Sequence, residues 1–348
     1  MTAFPQSKTA VPISFGAMTI GTKGFEQARI HDEKTLQDLL DVLKKHGVDE
    51  IDSARMYGAG TSEEFLGKVQ AEKQGFKIAT KVFPSKRFGG APGWKMYDHS
   101  KGDIQQAMTD SLTALQTDSV DLYYLHAPDR ETSFAETLKA VNEEYKQGKF
   151  KRFGISNYTA EEVEQVVQIC KDNNYVQPSV YQGLYNAITR SGEAELLPVL
   201  RKHKISYYTY NPLGGGFFTG AYTAKMKEEG GSDQLEKGSR FDDSTRQGQM
   251  YRKRYFHDAY FEAVEMIRPV AEKHNLTLAE IALRWNMHHS ALRKEYNDHV
   301  IVSASSIKHI EENLNNFEKG PLPDEVVEVI DKAWIHVKDS GNAGKYHF

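Results

Sequence analysis

Short apolar runs recur eight times along this chain, at residues 13–18, 50–54, 76–82, 120–126, 150–157, 178–185, 205–211 and 299–304, and amphipathic stretches fill most of the gaps. Runs of this length suit strands buried on both faces, whereas apolar stripes at three- and four-residue spacing suit helices with one buried face. Such stripes are Leu36, Leu39, Leu40 and Leu43; Ile104, Met108, Leu112 and Leu115; Phe134, Leu138, Val141 and Tyr145; and Ile307, Ile310, Leu314 and Phe317. Strand followed by helix, repeated, builds a parallel sheet, because parallel neighbours need a long crossover. Eight repeats favour an α/β fold closed as a (β/α)8 TIM barrel over an open doubly wound sheet, which usually has fewer strands and a glycine fingerprint for phosphate. Neither G-x-G-x-x-G nor G-x-x-x-x-G-K-[ST] occurs.

Helix starts carry their own marks. Thr61/Glu64, Ser133/Glu136, Thr159/Glu162 and Thr277/Glu280 fit the capping box, in which two side chains satisfy the first orphan amides of a helix. A stretch rich in Gly, Lys, Asp and Gln at about 214–256 follows the seventh strand and predicts a long loop over one barrel mouth. Residues 323–338 read as an added C-terminal helix opened by Pro323-Asp324-Glu325, followed by a polar tail. Barrels of this kind run well past 250 residues as one unit, so residues 1–348 are expected to form a single domain.

A net charge of −4 and a pI near 6.4 argue against nucleic-acid binding, which needs a cationic face. No run of some 18 apolar residues predicts a membrane span, and Met1 to Thr19 lack a charged n-region with an apolar core, which points to a cytoplasmic protein. The single cysteine, Cys170, lies in a stripe with Val163, Val166 and Val167 and reads as packing. No H-x-H or H-E-x-x-H occurs, so a metal-dependent hydrolase is disfavoured and no metal is expected.

Reactive groups of a parallel barrel gather at the carboxyl ends of its strands. Asp52 follows the second strand, Tyr57 lies five residues on, Lys81 ends the third and His126 closes the fourth. This set suits proton donation to a carbonyl oxygen as hydride reaches its carbon. Tyr57 would be the acid, Lys81 would lower its pKa, Asp52 would hold Lys81, and His126 would orient the substrate oxygen. A free phenol titrates near ~10, and an ammonium about 4 Å away contributes on the order of 4 kcal/mol, enough to move it by roughly three units. Taken one at a time, the same residues read as an ordinary ion pair, a loop aromatic and a core histidine.

The stretches Ile51-Asp52-Ser53-Ala54 with Met56-Tyr57-Gly58, Ala79-Thr80-Lys81, Asp121-Leu122-Tyr123-Tyr124-Leu125-His126 and Gly154-Ile155-Ser156-Asn157-Tyr158 resemble the aldo-keto reductase superfamily. Val180 to Asn186 and Tyr210-Asn211-Pro212-Leu213 are similar to its aflatoxin-aldehyde reductase branch. The resemblance implies reduction of an aldehyde or ketone with NADPH bound across the barrel mouth. Ser156, Asn157 and Gln182 would hold the carboxamide and Tyr210 the nicotinamide ring, while Asn211, Leu213 and Gly215 would form the pyrophosphate turn. Ser305, Lys308, Glu312 and Asn313 would meet the adenosine end. Alternatively, Ser156, Asn157 and Gln182 merely cap strand ends, and Lys308 and Glu312 decorate a surface helix.

Two departures from the resembled pattern stand out. Ala221 occupies a position where relatives often carry a lysine for the 2′-phosphate, leaving Arg240, with Lys308 or His309, to favour NADPH over NADH. The chain ends Tyr346-His347-Phe348, without the arginine that lets some relatives bind acidic substrates, although Arg252 or Arg254 offers a cation. Met56, Trp94, Tyr251, Arg254 and Tyr346 are the candidates for substrate contact. The branch points to a homodimer, though monomers are common in the superfamily. The competing reading is an NADPH-binding regulatory or redox-sensing subunit with little turnover.

Overall fold

The computed structural model describes residues 4–25, 27–89, 94–227, 235 and 239–348. Eight parallel strands pair in chain order and close on themselves: β1 (Ile13–Gly16), β2 (Glu50–Asp52), β3 (Lys77–Val82), β4 (Val120–Leu125), β5 (Phe150–Ser156), β6 (Pro178–Leu184), β7 (Ser206–Tyr210) and β8 (His299–Val302). All eight apolar runs contain a strand, each trimmed at one or both ends.

Alternation along each strand sorts the interior into layers. Ser14, Glu50, Arg152 and His299 sit toward the amino ends, and Ala79, Leu122, Tyr124, Val180, Tyr208 and Ile301 form a separate apolar layer. Asp52, Lys81, Ser156, Gln182 and Tyr210 lie at the carboxyl ends, where the register sets Gly16 opposite Asp52 and Ser156 opposite Gln182. Outward residues of the same strands, among them Phe15, Ile51, Tyr123, Phe153, Ile155 and Tyr181, join the main core beneath the helices.

The helical stripes supply the other half of that core. Helix Glu33–Lys45 buries Leu36, Leu39, Leu40 and Leu43, each contributing roughly 1.5–3 kcal/mol of hydrophobic stabilisation. Helix Ala160–Asp172 buries Val163, Val166, Val167 and Cys170, and burial pushes the Cys170 thiol up to about 12, as befits an inert packing residue. Tyr145 departs from its stripe and is 39% exposed, its ring resting beside Phe150 while Thr137, Leu138, Ala140 and Val141 fill the buried face of helix Phe134–Lys146.

The capping boxes divide. Thr159 and Glu162 bond reciprocally at 3.1 and 2.8 Å. Thr277 accepts from Glu280 N at 3.0 Å, but the Glu280 carboxylate turns to Arg284. Ser133 makes no side-chain cap bond. Thr61 lies inside its helix and donates to the Gly58 carbonyl at 2.6 Å instead, a bond that serves the loop before it.

The loop after β7 ends in helix Arg246–Tyr255, which lies across the mouth: Gln247 reaches Met18 Sδ at 3.4 Å and the Arg246 guanidinium bonds the Phe88 carbonyl. Residues 228–234 and 236–238 of that loop lie outside the described residues. The added helix at the carboxyl end spans Asp324–Asp339 and packs against helix Asp258–Lys273. Among the described residues no helix is long and apolar enough to cross a membrane.

Candidate active site

The structure brings Asp52, Tyr57, Lys81 and His126 together at the carboxyl ends of β2 to β4. Lys81 is fully buried and donates in three directions: to Asp52 Oδ2 at 2.7 Å, to the Ser53 carbonyl at 2.6 Å and to the Tyr57 hydroxyl at 3.4 Å. An ammonium has three N–H bonds, and each is engaged. Asp52 is held on its other oxygen by Gln182 Nε2 at 2.8 Å. The His126 ring stands edge-on to Tyr57 with centroids 5.9 Å apart and to Phe83 at 5.6 Å.

Burial dominates the titration of the cluster. It pushes the Asp52 carboxyl up and the Lys81 ammonium down, while their mutual contact opposes both shifts. His126 is held well below the usual imidazole range by burial, by Lys81 and by His99, so the ring is neutral and keeps one N–H. Its Nδ1 is buried without a partner.

Tyr57 differs from the sequence expectation in sign. Burial, followed by the Asp52 carboxylate and Tyr251, holds the phenol well above its ordinary value, with Arg240 opposing them. The expected lowering by Lys81 fails first because burial disfavours the phenolate, and second because Asp52, 2.7 Å from the ammonium, opposes its field at the phenol. Tyr57 therefore retains its proton at neutral pH, the state that a proton donor requires. An ammonium 3.4 Å away would still stabilise phenolate as it develops, an interaction absent from the resting phenol.

Around this cluster lie groups able to hold a nucleotide. Ser156, Asn157 and Gln182 are buried at the ends of β5 and β6. Asn157 Nδ2 donates to the His126 carbonyl at 2.9 Å, and its Oδ1 accepts from Tyr210 at 2.9 Å. Asn211 Oδ1 takes Tyr251 at 2.9 Å and Arg240 at 3.5 Å, yet its Nδ2 is buried with no partner. Leu213 leads into Gly214, Gly215 and Gly216, all left-handed; a Cβ on Gly215 would lie 2.4 Å from the Tyr251 ring. An orphaned amide, a glycine turn and two arginines at one edge of the mouth fit an anionic nucleotide such as NAD(P)H. Ser305 meets His309 at 3.0 Å, Lys308 pairs loosely with Glu312 at 3.8 Å in the open, and Asn313 is buried on the same helix. Ala221 is exposed. Among the described residues no group of three or more His, Cys, Asp or Glu side chains gathers as a metal site.

The five candidates for substrate contact separate. Met56 and Trp94 line one cleft of about 490 Å³ together with Phe83 and Tyr97. Tyr251 is buried over the glycine turn, and Arg254 packs 5.7 Å from its ring and bonds Tyr210, so both belong to the β7 edge of the mouth. Tyr346 is 3% exposed, accepts from Ala160 N at 3.2 Å and leans on Glu195; it does not face the mouth. Phe348 does reach toward it, donating its amide to the Asn157 carbonyl at 3.2 Å while Arg130 holds its own carbonyl at 3.0 Å. Phe83 and Phe348 were missed in the sequence; Phe83 was accessible, since it lies two residues beyond Lys81 on the same face of the strand.

Comparison with known proteins adds independent findings. Residues 12–335 match the model of the Aldo/keto reductase family. Aldo-keto reductase pigE of Monascus ruber is 41% identical over 332 residues, covering 95% of this chain and 96% of that protein. Aflatoxin B1 aldehyde reductase member 2 of Mus musculus is 36% identical over 338 residues, covering 95% of this chain and 87% of that protein. The solved holo form of aldo-keto reductase AKR11C1 from Bacillus halodurans superposes with a TM-score of 0.66 at 24% identity, over 92% of this chain and 91% of that one, a likeness of fold.

Proposed function

Because the chain belongs to the aldo/keto reductase family, we propose that this oxidoreductase reduces aldehydes or ketones to alcohols with NADPH, Tyr57 giving the proton. The bound cofactor supplies hydride to the carbonyl carbon. Ser156, Asn157 and Gln182 would hold its carboxamide, Tyr210 its ring, Asn211, Leu213 and Gly215 its pyrophosphate, and Ser305, Lys308, Glu312 and Asn313 its adenosine end.

This chain's own work is to handle charge on the substrate oxygen. Tyr57 holds a proton it does not readily lose, and the neutral His126 ring keeps an N–H for the same oxygen. As the phenol begins to part with its proton, Lys81 lies 3.4 Å away to receive the growing negative charge, worth about 5 kcal/mol at an effective dielectric of ~20 before Asp52 opposes it. Asp52 keeps Lys81 aimed, and Gln182 keeps Asp52 aimed. Met56, Phe83 and Trp94, bordering the 490 Å³ cleft, would receive the remainder of the substrate.

The observation that carries this reading is the buried Asp52–Lys81–Tyr57 line beside a neutral histidine. Tyr57→Phe removes the hydroxyl and keeps the ring, so turnover should fall by roughly 10²–10⁴ while NADPH still quenches protein fluorescence. Undiminished turnover would overturn the role of Tyr57. A wild-type chain that binds NADPH tightly yet turns over none of a broad aldehyde panel would instead support a regulatory, nucleotide-sensing subunit.

A further inference from the structure

The loop that carries Tyr57 adopts a costly conformation. Gly58, Ala59 and Gly60 have φ values of 57°, 55° and 98°, three left-handed residues in succession. Ala59 has a Cβ and pays about 1–2 kcal/mol for that geometry. Such a run persists only where its surroundings over-determine it. Backbone bonds alone supply part of the restraint: Arg55 N donates to the Lys81 carbonyl at 3.1 Å and Tyr57 N to the Ala54 carbonyl at 3.0 Å.

Thr61 adds its bond to the Gly58 carbonyl, and further restraint comes from behind the barrel wall. The Arg55 guanidinium lies across the loop so closely that a Cβ on Gly60 would fall 1.4 Å from its Nη2. Arg55 Nη1 donates to the Asp110 carbonyl at 3.2 Å and forms an ion pair with Glu63 Oε2 at 2.6 Å. Glu63 is wholly buried, and its other oxygen accepts from the Thr80 hydroxyl. Thr80 precedes Lys81 on β3, and consecutive strand residues face opposite ways. Contacts therefore run from the Tyr57 loop through Arg55, Glu63 and Thr80 to the backbone of Lys81, on the side of the wall away from the reacting groups. Burial pushes the Glu63 carboxyl up, and the Arg55 charge opposes it.

We infer that Glu63, acting through Arg55, is a positioning residue for the reaction: the buried pair sets the 3.4 Å separation of the Tyr57 hydroxyl from Lys81 by holding the strained loop against β3 from outside the barrel. The inference rests on the reading of Tyr57 as proton donor. A side chain that touches neither substrate nor cofactor then governs the chemical step, since a displacement of about 1 Å at a reacting group lowers a rate by up to ~10²-fold.

The test compares wild type, Glu63→Gln, Arg55→Met, the double variant and Tyr57→Phe, measuring kcat and KM for one aldehyde, NADPH affinity by fluorescence and thermal midpoint. Glu63→Gln keeps a partner for Thr80 but uncouples Arg55. It should lower kcat by roughly 10–100-fold with KM and NADPH affinity within about twofold of wild type. Arg55→Met should lower kcat likewise, with KM free to shift because Arg55 borders the substrate cleft, and the double variant should lose little more kcat than the worse single variant, because both break one link. Unchanged kcat in a folded Glu63→Gln, or additive losses in the double variant, would overturn the inference. Should Glu63→Gln fail to fold, the less buried end of the link decides: Arg55→Met with kcat within twofold of wild type overturns it too. Tyr57→Phe separates the two levels. If it retains full turnover, the proton-donor reading fails; if it is inactive while Glu63→Gln and Arg55→Met are normal, only the positioning role fails.

Discussion

The two ends of the barrel each bury a cation against carboxylates, and they differ in what is left over. At the amino end, Arg152 reaches Asp121 at 2.5 Å, Glu50 at 3.0 Å and the Tyr208 hydroxyl at 3.1 Å; Tyr208 donates to Glu50 at 3.0 Å, and His299 stacks on Tyr208 at 4.1 Å while bonding Ser14 at 2.9 Å. None of the buried polar side-chain atoms in that group lacks a partner. At the carboxyl end, His126 Nδ1 and Asn211 Nδ2 are buried and unpartnered. Buried polar groups are ordinarily satisfied, so these two at the mouth, unlike the polar atoms of the amino-end group, leave bonds for a ligand to complete. The amino end is a closed plug, and the carboxyl end is an unfinished one. On the proposed function the same residue chemistry serves stability in one place and reaction in the other, as barrels of this architecture generally divide their labour.

The sharpest way to break that contrast is to remove each cation in turn. Lys81→Met should lower kcat by at least ~10³-fold, because it removes the charge beside Tyr57 and the aim of Asp52 together, with a stability cost that protonation of the single Asp52 carboxyl limits. Arg152→Met should leave the kcat of the folded fraction within about twofold but destabilise the protein by roughly 3–5 kcal/mol, since Glu50 and Asp121 lose their shared counter-charge. Denaturant titration beside steady-state kinetics reads both effects. Equal losses of stability with equal losses of rate would erase the distinction between plug and site.

A gentler change sharpens the assignment of the mouth. Arg240 contacts Asn211 at 3.5 Å and Tyr251 at 3.3 Å and lies near enough to Tyr57 to oppose its upward shift, which places it by the glycine turn. Arg240→Met should weaken NADPH and NADH alike, by about 10-fold, as expected for one lost charge-assisted bond to pyrophosphate. A loss confined to NADPH would move Arg240 to the 2′-phosphate, the contact anticipated from the sequence in compensation for Ala221.

What was legible in the sequence follows from what local pattern encodes. Strand positions are set by period-two burial, and residues at strand ends face the mouth whatever the distant chain does, so Asp52, Lys81 and His126 could be read directly. The barrel's plug could not, because Glu50, Arg152 and Tyr208 meet only through the closure of strands 56 to 158 residues apart in sequence. Glu63 and Arg55 carried no mark in the sequence, because local spacing does not show that a helix carboxylate and a loop cation pair behind the barrel wall. Tyr346 was misplaced for a related reason: a terminal tail has no periodicity to orient it, and its last residue rather than its tyrosine faces the mouth. The sign at Tyr57 required its burial, and after that the field of Asp52, neither of which local sequence shows.

The smallest expected effect concerns protons at the plug. Burial, joined by the Arg152 charge, holds His299 down to about 3, whereas an unfolded histidine titrates near ~6.5. Between these values the unfolded chain binds one proton more than the folded one at this position, so unfolding becomes easier as pH falls. The contribution is fully present above the unfolded value and is lost progressively toward pH 3, at up to about 1.4 kcal/mol per pH unit. Buried His99, held at about 4, and His126 at the mouth act in the same sense, while Glu50, raised by burial, acts in the opposite one. His299→Asn should therefore make the acid limb of the stability curve shallower by up to one proton between pH 4 and 6 without removing it. Urea titrations across that range would show the change, and an unaltered slope would mean that His299 is already protonated within a plug whose positive charge Arg152 alone was taken to supply.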